Sequence, residues 1–297
     1  MKFNKPPISV SDQVLKLKER GLKFDSELKA AHYLSNISYY RLRAYTYPFQ
    51  DNTTEDQKFV VDISFEKIIE LYVFDRKLRL IIFDAIEKIE VALRTQIIHQ
   101  FALTNGSHWH LKPELYRDSM NFANHLADLQ KEVNRSGETF IIHYKKKYTN
   151  PPDPACWMGL EVSSIGLLSK IFQNLKKSPE KKAIADYFGL GDISLLENWM
   201  FCFCSIRNIC AHHGRIWNRR LVSIRIPSKP KYPFVQNKDI YPNKLYTTLC
   251  CIEYILKLIS PENTLGPKLK KTLDKFNLDQ EKEMGFPKNW RNEDFWN

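Results

Sequence analysis

SFEKIIELYVFDRKLRLIIFDAIEKIEVALRTQIIHQF, residues 64–101, decides the fold. Within it Phe65, Ile68, Ile69, Tyr72, Leu78, Ile82, Ile86, Ile89 and Leu93 return mostly at steps of three and four. That is the period of one helix face. Ser64 is a residue type that caps helix N-termini, and Gly106 is a natural stop. The pattern therefore predicts one long helix from Ser64 to about Phe101, closed by Gly106.

The same reading works outward in both directions. Ser11 is expected to cap a first short helix ended by Gly21, and Ser26 opens a second. Tyr39 to Phe49 mixes aromatics with Arg41 and Arg43. Further helices are expected near 113–134, 138–147 and 159–176. In Ser178-Pro179-Glu180 the serine caps and the proline takes the first helical position. That helix ends at Gly189. Another starts near Asp192 or Ser194 and runs to about His212, with Gly214 as its stop. Arg215 to Arg225 is less regular and leaves room for a short strand. Two last helices cover about 243–259 and 267–276. The expected class is all-α. One seam stands out, Asn150-Pro151-Pro152-Asp153-Pro154, where prolines break any helix. Apolar residues resume at once with Trp157 and Met158, so a flexible linker is not expected there.

The chain of 297 residues carries a net charge of +11 and is 43% hydrophobic. A core of ordinary size is expected, and the basic balance favours polyanions such as nucleic acid. Ten glycines with no glycine-rich repeat argue against a nucleotide-cradling loop. No stretch approaches the ~18 apolar residues of a membrane span. The six cysteines (Cys156, Cys202, Cys204, Cys210, Cys250, Cys251) show no disulfide framework, which suggests a reducing cytoplasm.

The chemistry concentrates in Arg207-Asn208-Ile209-Cys210-Ala211-His212-His213-Gly214-Arg215. On a helix Asn208 and His212 stack one turn apart, and the long Arg207 side chain reaches the same group. An imidazole moves protons near neutral pH, and a guanidinium clamps phosphate oxygens. Arg207 and His212 are thus the catalytic pair expected for RNA cleavage, with Asn208 orienting histidine or phosphate. His213 and Arg215 are placed to hold neighbouring phosphates. The bland alternative is a helix end whose cations answer the macrodipole. A second arginine–histidine pair at the same spacing, Arg94 and His99, reads as ordinary helix surface.

The stretch Arg207 to Arg219 resembles the signature of the Abi-like family of abortive-infection proteins, the AbiD and AbiF kind. Other blocks agree with that resemblance. They are Tyr39-Tyr40-Arg41-Leu42 with Tyr47-Pro48-Phe49, Tyr72 to Arg79 through Ile89-Glu90 and Arg94, Trp157 with Ser164 and Gly166, and Met284-Gly285-Phe286-Pro287 with Trp290. Such proteins are similar to HEPN-domain ribonucleases, marked by an arginine, a polar residue and a histidine four to six positions past the arginine. The resemblance implies a helical bundle over about 60–260, a helical extension over 1–58, and C-terminal helices and a tail over 261–297, all one domain. It also implies a homodimer with a composite site, metal-independent cleavage of RNA, phage defence, and restraint by a small RNA or a protein antitoxin. No cofactor is implied. The rival readings are a non-catalytic RNA-binding protein and a protein-interaction module.

Three further groups bear on this reading. Glu87, Glu90, Arg94 and Arg79 fall at helical spacing. Surface ion pairs are the first reading, and a polar ladder near the active site, with Arg79 or Arg94 touching RNA, is the second. Arg41 and Arg43 among their tyrosines suit a stacking platform for single-stranded RNA, or core packing. Arg219 extends the basic run that follows the motif. The cysteines near the motif lack zinc-site spacing and read as small buried hydrophobes.

Overall fold

The computed structural model describes residues 2, 6–276 and 281–297. In chain order the helices are α1 (Val10–Glu19), α2 (Glu27–Ile37), α3 (Tyr39–Thr46), α4 (Phe65–Asn105), α5 (Ser119–Arg135), α6 (Thr139–Lys147) and α7 (Cys156–Gly159). They continue as α8 (Ile165–Asn174), α9 (Pro179–Tyr187), α10 (Ile193–Ala211), α11 (Leu245–Ile259), α12 (Leu265–Phe276) and α13 (Glu281–Met284). The fold is all-α; among the described residues only isolated β-bridges occur, such as Gln50 with Phe59.

Side-chain caps explain most helix starts. Ser26, Ser38, Ser64, Ser164 and Ser178 each accept an amide hydrogen bond from the first turn, as do Asp118 and Asp192. The first helix starts earlier than expected. Ser9, not Ser11, is its cap, in a reciprocal capping box with Asp12.

α4 is the axis of the molecule, 41 residues long and packed against α3, α8, α9, α10, α11 and α12. Its apolar stripe is buried from Phe65 to Phe101. The same helix also buries three charged residues, Asp75, Arg79 and Arg94. α11 is buried on every side from Leu245 to Leu256, as a helix enclosed by its neighbours must be. No described helix is long and apolar enough to cross a membrane.

Three regions depart from expectation. The helix expected over 159–176 starts only at Ile165, capped by Ser164, after the separate α7 has ended at Gly159. The segment 113–134 is not one helix, because a 3-10 turn at Pro113–Leu115 precedes α5. Residues 215–225 form no strand; they bond singly to other segments, and among the described residues the buried Trp217 indole N–H has no partner. The Leu221 amide donates to the Asn243 carbonyl at 2.9 Å, the Ile224 amide to Pro242 at 2.9 Å, and the Trp199 indole to the Arg225 carbonyl at 2.8 Å. These bonds lie too far apart to build a ladder.

Just past α4, His110 is 3% exposed beside Trp109, and burial pushes its imidazole down to about 4. An unfolded chain takes up that proton near pH 6.5, so the unfolded state gains protons first as pH falls. The native state accordingly loses stability on acidification between those values, by about 1.4 kcal/mol per pH unit from this group. Urea unfolding at pH 7 and pH 4.5 should show His110→Gln losing about 2–3 kcal/mol less than the wild type over that interval. Equal losses would show that His110 does not carry this proton.

Candidate functional site

α10 ends in a turn that displays the motif. With His212 as cap, the His213 amide donates to the Cys210 carbonyl at 3.1 Å and the Gly214 amide to Ile209 at 2.8 Å. This is the doubled bond pattern that closes helices through one left-handed residue. The left-handed residue is His213, with φ 58°, and not Gly214. Gly214 is needed for another reason, since a Cβ there would lie 3.1 Å from the Ile209 side chain and 3.3 Å from its carbonyl. A histidine at positive φ costs more than a glycine would, so the surrounding structure must hold it there.

The last turns of α10 carry their polar groups outward. Asn208, His212 and His213 are exposed, and the Arg207 side chain is 33% exposed. Arg207 is braced from α4: its Nε lies 3.9 Å from Glu90, and its guanidinium sits 5.6 Å from the centre of the Phe83 ring. Its Nη1 also reaches Asn208 Oδ1 at 3.4 Å. Glu90 is fixed in turn by Arg94 at 2.9 Å, and Arg94 donates to the Ser163 carbonyl at 2.8 Å. Arg94 is buried and Glu90 half-buried, so this ladder is not a surface ion-pair array. Glu87 alone of the four is exposed. Asn208 Nδ2 meets Cys204 Sγ at 3.7 Å. Burial pushes the thiols of Cys202 and Cys210 up to about 12, which leaves them inert.

Beneath the motif lies a buried polar knot. The Asp75 carboxylate is 0% exposed. It accepts from the Tyr45 hydroxyl at 2.6 Å, from Arg79, and from the amides of Ile216 at 3.0 Å and Trp217 at 2.7 Å. Burial pushes this carboxyl up from its ordinary range; the Tyr45 hydroxyl, the Arg79 charge and the two amides oppose that push. Arg79 donates further to Tyr45 at 3.1 Å and to the Gly214 carbonyl at 3.4 Å. One carboxylate thus ties α3, α4 and the chain after α10 together.

The other arginines singled out by sequence divide accordingly. Arg41 donates to the His213 carbonyl at 2.8 Å, and Arg215 to the Ala44 carbonyl at 2.5 Å. Arg215 also lies over the Trp217 ring, which stacks on Phe49. Arg43 bonds Gln57 at 2.7 Å and lies over Tyr47, apart from the motif. Arg219 is exposed and donates to the Arg215 carbonyl at 3.3 Å. Arg207 touches Asn208, His212 is exposed at the same helix end, Arg41 and Arg79 reach the His213 and Gly214 carbonyls, and Arg215 is spent on Ala44. Sequence reasoning missed Asp75, Tyr45 and the bracing role of Glu90. The available signal was a charge inside an apolar stripe, Asp75 one turn before Arg79.

A family model described as Abi-like protein matches residues 32–218. The match runs from within α2 to the turn after α10, so it takes in every residue of this site except Arg219. Neither a curated protein nor a solved structure matches the chain significantly.

Asp75→Ala would leave Arg79 and two amides buried without their acceptor. We expect a loss of about 3–5 kcal/mol in urea unfolding, with faster tryptic cleavage at Arg219 and Arg220 because the segment is released. A variant with wild-type stability and proteolysis would show that the knot does not secure this segment.

Proposed function

Because the chain belongs to the Abi-like protein family, whose members act in abortive infection, we propose that its part in phage defence is to cut RNA at the end of α10. Arg207 clamps the non-bridging oxygens of a phosphodiester, and Asn208 orients the group. His212 takes the proton from the ribose 2′-hydroxyl. The 2′-oxygen attacks phosphorus, the bond to the 5′-oxygen breaks, and that oxygen takes up a proton. The products are a 2′,3′-cyclic phosphate and a 5′-hydroxyl, and the step balances without a metal ion. Proton transfer of this kind contributes about 10²–10⁴-fold, and a preorganised cation at the developing charge contributes comparably.

One observation carries the reading. A guanidinium braced by an anchored carboxylate shares the last turns of one helix with an exposed amide and an exposed imidazole. A cation serving only the helix macrodipole needs no such brace. The proposed site is HEPN-like, with two copies of the motif facing each other across a homodimer, so that the partner's imidazole supplies the acid. Exposed Val91 on α4 and Phe201 on α10 are apolar surface suited to such a contact. A small RNA or a protein antitoxin would restrain the enzyme by covering this end of α10.

Purified protein in EDTA should cleave single-stranded RNA. Arg207→Ala and His212→Ala should each lower the rate at least about 100-fold, while RNA affinity measured by filter binding changes only several-fold. Binding without cleavage in the wild type would instead identify a protein that holds RNA. Cleavage untouched by both substitutions would place the chemistry elsewhere.

A further inference from the structure

Beside the motif, between the middle of α4 and the last turn of α10, lies a groove of about 510 Å³. That volume falls in the range of small-molecule sites. Its walls are Tyr72, Leu80 and Phe83 from α4, with Cys210 and Ala211 behind. Leu80 is 57% exposed and Phe83 36%, unusual for large apolar side chains next to a charged site. The rim carries Arg76 and His213. Arg76 is exposed and, among the described residues, has no hydrogen-bond or ion-pair partner. Arg79 also lines the groove, but its charge is answered by Asp75. Among the described residues no carboxylate lines the groove. Phe83 carries the Arg207 guanidinium over its ring, so groove and motif share a wall.

Flat apolar walls with two aromatic rings, a free cation at the mouth and no acid fit one kind of ligand, a planar ring attached to an anion. We propose that the groove takes an unstacked nucleobase of the strand held at Arg207 and His212, with Arg76 on the adjoining phosphate. This rests on the nucleic-acid reading above and names where that substrate is gripped. The base packs against Phe83 and Leu80, while Tyr72, about three turns back on α4, closes the far end of the groove. Stacking of this kind accepts any base, because each has a π-face. It also excludes a base held in a duplex. The site therefore selects single strands over paired RNA, with weak preference for sequence.

The test uses full-length His212→Ala, so that RNA is not consumed, with a short single-stranded RNA carrying 4-thiouridine. Photocrosslinks should map to the peptide spanning Tyr72 to Phe83. Leu80→Glu, on an exposed position that tolerates change, should remove those crosslinks and weaken binding at least about tenfold. Arg76→Ala should weaken binding and lower the salt dependence by about one phosphate contact. Crosslinks confined to other segments, such as Tyr39 to Phe49, would overturn the proposal. So would unchanged affinity in both variants, or a dimer that Leu80→Glu splits without affecting RNA binding. The two readings fail separately. A wild type that crosslinks in the groove yet cuts no RNA refutes cleavage and supports the groove. A wild type that cuts RNA but crosslinks elsewhere refutes the groove alone.

Discussion

A buried carboxylate cannot stay in an apolar core unless its lone pairs are met, and Asp75 meets four donors from three parts of the chain. The path of the chain beneath the motif follows from that constraint. The amides of Ile216 and Trp217 are pinned to α4, so the chain leaving α10 has one path. Arg79 then reaches the Gly214 carbonyl from below, while Arg41 and Arg215 hold the His213 and Ala44 carbonyls from either side. A turn gripped at this many points keeps a histidine at positive φ and leaves the side chains of Asn208 and His212 facing water.

The arrangement separates two jobs that the sequence mixes. The arginines around the motif look alike in a string, yet Arg41 and Arg215 spend donors on backbone carbonyls and Arg79 chiefly answers Asp75. Arg207 keeps about a third of its side-chain surface open and is steered by Glu90, which Arg94 fixes in place. A guanidinium so braced loses less freedom when it meets a phosphate, the general advantage of preorganised cations. The groove beside it continues the same logic, with apolar walls where a base would lie and the exposed Arg76 where the strand would pass.

Much of this was legible before any coordinates. The three- and four-residue steps of α4 and the serine and aspartate caps predict most helices, because both signals are local. The shared face of Asn208 and His212, one helical turn apart, is legible for the same reason. What stayed hidden is non-local. Arg41 meets a carbonyl 172 residues away and Arg79 one 135 residues away, and no spacing rule reaches that far. Nor did periodicity show that Arg94 turns inward to Ser163, which took the ladder off the surface. The stop at His213 was masked by the glycine that follows it, since Gly214 answers to crowding against Ile209 and not to a left-handed backbone.

The chemistry of the cut ends tests the account most directly. RNA incubated with the purified protein, then analysed for its termini, should carry 2′,3′-cyclic phosphates and 5′-hydroxyls, the marks of attack by the neighbouring ribose oxygen. Ends bearing 3′-hydroxyls and 5′-phosphates would mean that water is the nucleophile, and the roles given to Arg207 and His212 would fall with that result.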